Sequence, residues 1–184
     1  MAGNSQQVYE QSFAPYRNTA EREQIRAIAY QTVAQAYNSN TNLTKPVFVR
    51  PGYFADLQSA GASNYTGFTV DLVALPSAVE GFSYGTAFNI TGPQTKVLQF
   101  YGIKTEFPDP AVAGLKYTQN GKEYPIIVWE QENPEDDKIL FRGMLPVINP
   151  NNKVTITLVG TAAAAAANFQ FLFALAEQNP GQSS

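Results

Sequence analysis

Apolar residues in this chain recur at helical spacing in one place only. Ile25, Ile28, Ala29, Thr32, Val33 and Ala36 follow the period of a helix and predict one amphipathic helix over 19–37. Asn18 stands at the N-cap position with Glu21 three residues on, a capping-box variant. "NSNTN" at 38–42 ends the helix, because those side chains compete for local backbone hydrogen bonds. From Lys45 the texture changes to β-branched and aromatic runs punctuated by Gly, Pro and Asn, the pattern of an all-β domain. The runs are 45–50, 65–75, 84–91, 95–107, 123–132, 138–148, 153–161 and 168–177, eight in all. Between them "GPQ" (92–94), "NG" (120–121), "NPEDD" (133–137) and "NPNN" (149–152) carry turn chemistry. "KVTITLV" alternates most cleanly, with Val154, Ile156 and Leu158 facing one way and Thr155 and Thr157 the other.

The segment "TAAAAAANFQFLFALAEQ" (161–178) mixes two signals. Its alanines favour helix, while Phe169, Phe171 and Phe173 follow the period of a strand. As a membrane helix, 162–176 is too short and carries Asn168 and Gln170. As a surface helix it would place Phe or Leu all round the cylinder. A strand sorts the residues better, with Phe169, Phe171, Phe173 and Leu175 on one face and Gln170, Leu172, Ala174 and Ala176 on the other. The alanines then read as small residues where two elements approach closely, with a short helical turn at 162–167 as the alternative.

Eight strands need two packed faces or a closed barrel to hide their edges. The connections are uneven, longest at 51–64 and 108–122, which suits a Greek-key sandwich better than uniform hairpins. The expected fold class is all-β, an eight-stranded jelly-roll β-sandwich with an N-terminal arm and one helix. The expected organisation is an arm at 1–17, helix and connector at 18–42, jelly roll at 43–178 and a tail at 179–184.

Composition narrows function mostly by exclusion. Of the 184 residues, 44% are hydrophobic and only 15% charged, with a net charge of −3. The charged share is well below the roughly 25% usual in soluble domains, so Asn, Gln, Ser and Thr must build the polar surface. Such a surface repels its neighbours weakly and suits a protein packed against others. It lacks the basic cluster that nucleic-acid binding needs. The chain has no cysteine and no histidine, so disulfides, thiolate nucleophiles, Ser-His-Asp triads and His-ligated metals are all excluded. The start, "MAGNSQQVYEQSF", has no basic n-region and no apolar h-region, so no secretory signal is expected. The sequons at Asn42, Asn64 and Asn89 then read as Thr-rich strand ends rather than glycan sites.

What remains is carboxylate and aromatic chemistry. Glu130, Glu132, Glu135, Asp136 and Asp137 form the densest acidic cluster, a candidate oxygen-only Ca²⁺ site. Their spacing matches no ligand loop, and the competing reading is a solvated hairpin tip closed by Lys138. Glu106 with Asp109, or Glu130 with Glu132, are the available pairs for glycoside hydrolysis, although alternating acids on an exposed strand ordinarily just keep it soluble. Trp129 with Tyr117, Tyr124, Tyr101 and Tyr84 could line a sugar-binding face. Trp129 follows Ile126, Ile127 and Val128, a run of the kind buried on both sides of a sandwich, so core or subunit-interface packing is the stronger reading. "FPDPAVAGL" (107–115) reads as a rigid exposed loop, since each Pro fixes φ. No enzyme, cofactor or small-molecule substrate is expected.

"VFVRPGYF" (47–54), "ILFRGMLPVINPNNKVTITLVGT" (139–161) and "NFQFLFALAE" (168–177), with the strand rhythm around them, resemble the small single jelly-roll major capsid proteins of tailless, membrane-containing icosahedral bacteriophages. The resemblance spans roughly Lys45 to Gln178 and carries no diagnostic motif, so no functional residue is transferred from it. It implies a structural virion protein made in the host cytoplasm that associates with itself and with other capsid proteins over an inner viral membrane. The alternative of another class is a carbohydrate-binding β-sandwich, lectin-like or receptor-binding. For the capsid reading, removing residues 1–17 is expected to leave the fold intact and weaken assembly. An unchanged assembly size by light scattering would overturn that.

Overall fold

In the computed structural model the described residues are 19–61, 70–71, 83–105, 112–128, 133–135, 138–160, 166–167 and 169–181. The helix α1 spans Thr19–Ser39, two residues beyond the predicted end. Its buried stripe is Arg22, Ile25, Ala29, Val33 and Tyr37, a ridge of mostly four-residue steps. Ile28, expected on the apolar face, lies beside this ridge and is 39% exposed. The last turn holds no basic residue of its own. Lys45 supplies the charge instead, donating to the carbonyls of Tyr37 and Asn40, which end without helical partners.

The strands are β1 (Val47–Pro51), β2 (Val70–Asp71), β3 (Ser83–Thr91), β4 (Lys96–Thr105), β5 (Val112–Gln119), β6 (Lys122–Glu123), β7 (Ile127–Val128), β8 (Asn133–Glu135), β9 (Lys138–Leu140), β10 (Lys153–Gly160), β11 (Ala166–Ala167) and β12 (Phe169–Gln178). One sheet runs β1-β12-β4-β9-β8, and the other runs β3-β10-β5-β6 with β7 also on β5. Leaving out β2, β6, β8 and β11, the other eight strands nest. The first pairs with the last, the second with the seventh, the third with the sixth and the fourth with the fifth, all antiparallel. That is one long hairpin rolled into two sheets, a jelly roll.

The eight strands are not quite the eight expected. Of the run 65–75, the described residues hold only β2, which pairs with β11. The 108–122 connection instead contains β5, which pairs with β10 along its whole length. Leu115 and Tyr117 alternate inward there, but the small residues before them give a weak strand signal. Of the run 123–132, the described residues hold the end of β6 and all of β7. Pro125, which has no N–H to donate, separates them. Ile126 is 38% exposed, so this run is not buried on both sides as expected. The run 138–148 keeps β9 and one isolated bridge between Ile148 and Leu98. The 51–64 connection holds a short helix, α2 (Phe54–Ser59).

The final strand falls as predicted. Phe171, Phe173 and Leu175 join the core between the sheets, with Phe88, Leu98, Phe100, Tyr117, Ile156 and Leu158. Ala174 and Ala176 face the other way, into a second cluster with Ile25, Ala29, Val33 and Tyr37 of α1. The helix therefore packs on the outer face of the β1-β12-β4 sheet, and small side chains let it approach. Tyr101 sits at a bulge of β4, where the register against β12 slips between Leu172 and Phe173. Against the alternative of a helical turn at 162–167, Ala166 and Ala167 form β11, and 161–165 lie outside the described residues.

Gly52 follows β1 and donates its N–H to the Phe173 carbonyl at 2.8 Å. A Cβ there would clash with the edge of the Phe173 ring. Gly52→Ala is expected to cost about 1–3 kcal/mol by overpacking, read from the urea midpoint. A midpoint equal to wild type would show that the ring has room to move.

Candidate functional site

Four described ionic side chains converge at the β1 side of the sandwich. Strand β1 supplies Arg50, α2 supplies Asp56, the start of β4 supplies Lys96 and the end of β12 supplies Glu177. Arg50 grips Asp56 with both terminal nitrogens, at 2.9 Å each, the bidentate geometry a guanidinium favours. Its Nε donates to Glu177 Oε1 at 2.7 Å. Lys96 Nζ reaches Asp56 Oδ1 at 3.0 Å and Glu177 Oε2 at 3.3 Å. The Tyr53 backbone N–H donates to Asp56 Oδ2 at 2.9 Å, which fixes the first turn of α2.

Two cations thus face two anions, and each Asp56 oxygen accepts two hydrogen bonds, the full capacity of a carboxylate. Burial works against the charged form of Asp56, yet the hydrogen bonds from Arg50, Tyr53 and Lys96 outweigh it and hold the carboxyl well below its ordinary range. Glu177 is lowered in the same way, burial opposing and Arg50 and Lys96 prevailing. On the cationic side, the Asp56 hydrogen bond raises Arg50. Lys96 is raised against its desolvation by both carboxylates. The cluster is a closed clamp that ties α2 to three strands. Asp56 can act as base or metal ligand only by breaking it. No sequence motif pointed here, because the four residues come from four separate elements.

Leu57 of α2 enters the core between the sheets, and Ala60 accepts the Thr91 N–H from β3 at 2.8 Å. The helix therefore bridges the two sheets on the side where the clamp sits.

Only some of the residues singled out from the sequence fall within the described residues. Trp129, Glu130, Glu132, Asp136, Asp137, Glu106 and Asp109 lie outside the described residues. Glu135 ends β8, in register with Lys138 of β9, so a hairpin does close there. Among the described residues, no group of three or more acidic side chains is placed to hold a metal ion. Tyr117 is 0% exposed and donates its hydroxyl to Gln119 Oε1 at 2.7 Å; enclosed in the core, it offers no face to a sugar or a subunit. Tyr124 is half-buried edge-on against it, ring centroids 5.7 Å apart. Tyr101 is buried under α1, 6.5 Å from the Tyr30 ring, and burial pushes its phenol up to about 12. Of the side chain of Tyr84 nothing is described.

No family model and no curated protein matches the sequence. Among solved structures, a family 35 carbohydrate binding module from Clostridium thermocellum aligns over 70% of this chain and 89% of its own, at 14% identity and a TM-score of 0.31. A structure of infectious bursal disease virus, Gt strain, aligns over 74% of this chain and 33% of its own, at 10% identity and 0.35. A CBM35 from Cellvibrio japonicus Abf62 gives 73%, 99%, 12% and 0.33. All three TM-scores are low, and none of the three bears on the function of this chain.

Because both carboxylates are lowered in the fold, their contribution is present above the unfolded carboxyl range of about 4 and is lost as pH falls through the folded values. Because Arg50 and Lys96 are raised, theirs is present at neutral pH and lost only on the far alkaline side. Stability is therefore expected to decline below about pH 5. Asp56→Asn is expected to cost about 2 kcal/mol at pH 7 and to flatten that decline. Urea unfolding of both proteins from pH 3 to 8 checks this. Parallel curves would mean that the clamp does not set the acid response.

Proposed function

We propose that this chain is a structural subunit of an icosahedral virion shell, associating with copies of itself and with other shell proteins, and that it has no catalytic role. The observation that carries the reading is where the charge sits. In a chain only 15% charged, four ionic side chains are turned inward on one another in the clamp. Large apolar side chains meanwhile stand exposed, namely Phe48, Tyr53, Ile28, Ile126 and Met144. Weak surface repulsion together with exposed apolar groups favours packing against neighbours. The jelly roll supports the reading as a compatible scaffold, since fold alone does not fix function. Assembly over an inner membrane follows from the resemblance of the sequence to phage capsid proteins and belongs to the same proposal.

The mass of the purified chain is expected to grow with concentration in light scattering, with sheet-like or shell-like objects in negative stain. A monomer at every concentration would overturn self-assembly. Titration of Trp129 fluorescence with a glycan panel is expected to stay silent, and a saturable shift would favour the carbohydrate-binding alternative.

A further inference from the structure

The edge strand β1 carries a pattern that fits itself. Its bonds to β12 fix which way each residue points. Gly52 N–H donates to Phe173, and Asn179 N–H donates to Pro46, both in line with the β1–β12 register. The even-numbered residues of β1 therefore bond to β12, and the polar groups of Val47, Val49 and Pro51 point to the open side of the strand. Among the described residues β1 pairs only with β12, and Val47 and Val49 have no backbone partner on that open side. Pro51 has no N–H, and its carbonyl takes one hydrogen bond, from Arg50 Nη1 at 3.0 Å.

The geometry points to β1 as a two-fold contact with a second copy of this chain, the two β1 strands pairing antiparallel about Val49. This deepens the structural-subunit reading above and rests on it. In that register each Val49 N–H donates to the Val49 carbonyl of the second copy, and each Val47 N–H donates to the Pro51 carbonyl opposite, which has a lone pair to spare. The donor that proline lacks falls at the end of the ladder, where one missing bond matters least.

Side chains match as well. Phe48, 42% exposed, comes directly opposite Arg50 of the second copy. The Arg50 guanidinium already lies 5.2 Å from the centroid of its own Tyr53 ring, and a second ring opposite adds another cation–π partner. Tyr53, 58% exposed, is covered by the same contact. The two sheets join into one continuous sheet, which is how an open strand edge is satisfied.

Val49→Pro removes a donor that points away from β12, at a position equivalent to Pro51, so the fold is expected to survive it. Phe48→Lys sets a like charge against Arg50 of the second copy and leaves the backbone untouched, so it serves if Val49→Pro does not fold. In sedimentation equilibrium both are expected to weaken self-association at least about tenfold, with melting curves close to wild type. Amide exchange at Val47 and Val49 is expected to slow as wild type associates. If wild type associates and the folded variants associate equally well, this contact is overturned while a structural subunit using other surfaces still stands. If wild type stays monomeric throughout, both readings fall together. If the Val47 and Val49 amides are already protected in dilute monomer, another segment of this chain covers the edge and the contact is overturned.

Discussion

The structure hangs on β12 having two different faces. It lies between β1 and β4, with the second sheet over one face and α1 over the other. Toward the second sheet it presents Phe171, Phe173 and Leu175. Toward α1 it presents Ala174 and Ala176. Aromatic rings on the inner side fill the space between sheets, which stand about 10 Å apart. Alanines on the outer side leave room for a helix backbone. A one-residue slip would exchange these sets, pushing rings into the helix and methyls into the core. The register is therefore held by volume, and the close approach of Gly52 to Phe173 belongs to the same fit.

Amide side chains perform at the loop end much of what charges perform in other proteins. Asn152 Oδ1 accepts from the Asn149 backbone and from Gln119 Nε2, both at 3.0 Å. Gln119 Nε2 also donates to the Val147 carbonyl at 2.9 Å, and Gln99 Nε2 to that of Leu145 at 2.7 Å. These bonds hold the 144–152 segment against strands of both sheets. Amides carry donor and acceptor on one neutral group, so they satisfy buried backbone without the desolvation cost of an ion. A chain rich in Asn and Gln and poor in charge can close its loops this way without committing ions to them.

What could be read from the sequence follows from how local each signal is. The helix, the strand at 153–160 and the final strand declared themselves because their periodicity is complete within one segment. "NG" at 120–121 also declared itself. Asn120 and Gly121 take φ of 51° and 80°, both positive as a type I′ hairpin requires. Strand β5 was missed because its partners, not its own propensity, make it a strand. The clamp was missed for a related reason. Arg50, Asp56, Lys96 and Glu177 span 127 positions, and nothing local distinguishes them from other charged residues. Trp129 and the acidic cluster drew notice by residue type alone, and all of them but Glu135 lie outside the described residues.

A sandwich that rolls on itself still leaves strands at its sheet ends, and how those ends differ bears on assembly. At one end of the β1-β12-β4-β9-β8 sheet lies β8, three residues long, a length that gives little template for pairing. At the other lies β1, five residues long and ended by Pro51. A proline at an edge limits how far a ladder can extend. A two-fold contact also consumes the edges of both partners, so pairing through β1 closes at a dimer and cannot run on into fibres. Growth into a shell would then need chemically different surfaces, and the exposed Ile28 on α1 and Ile126 beside β7 lie on other elements. An edge that pairs once, joined to apolar patches elsewhere, separates dimer formation from higher assembly, and each step can then be disturbed without the other.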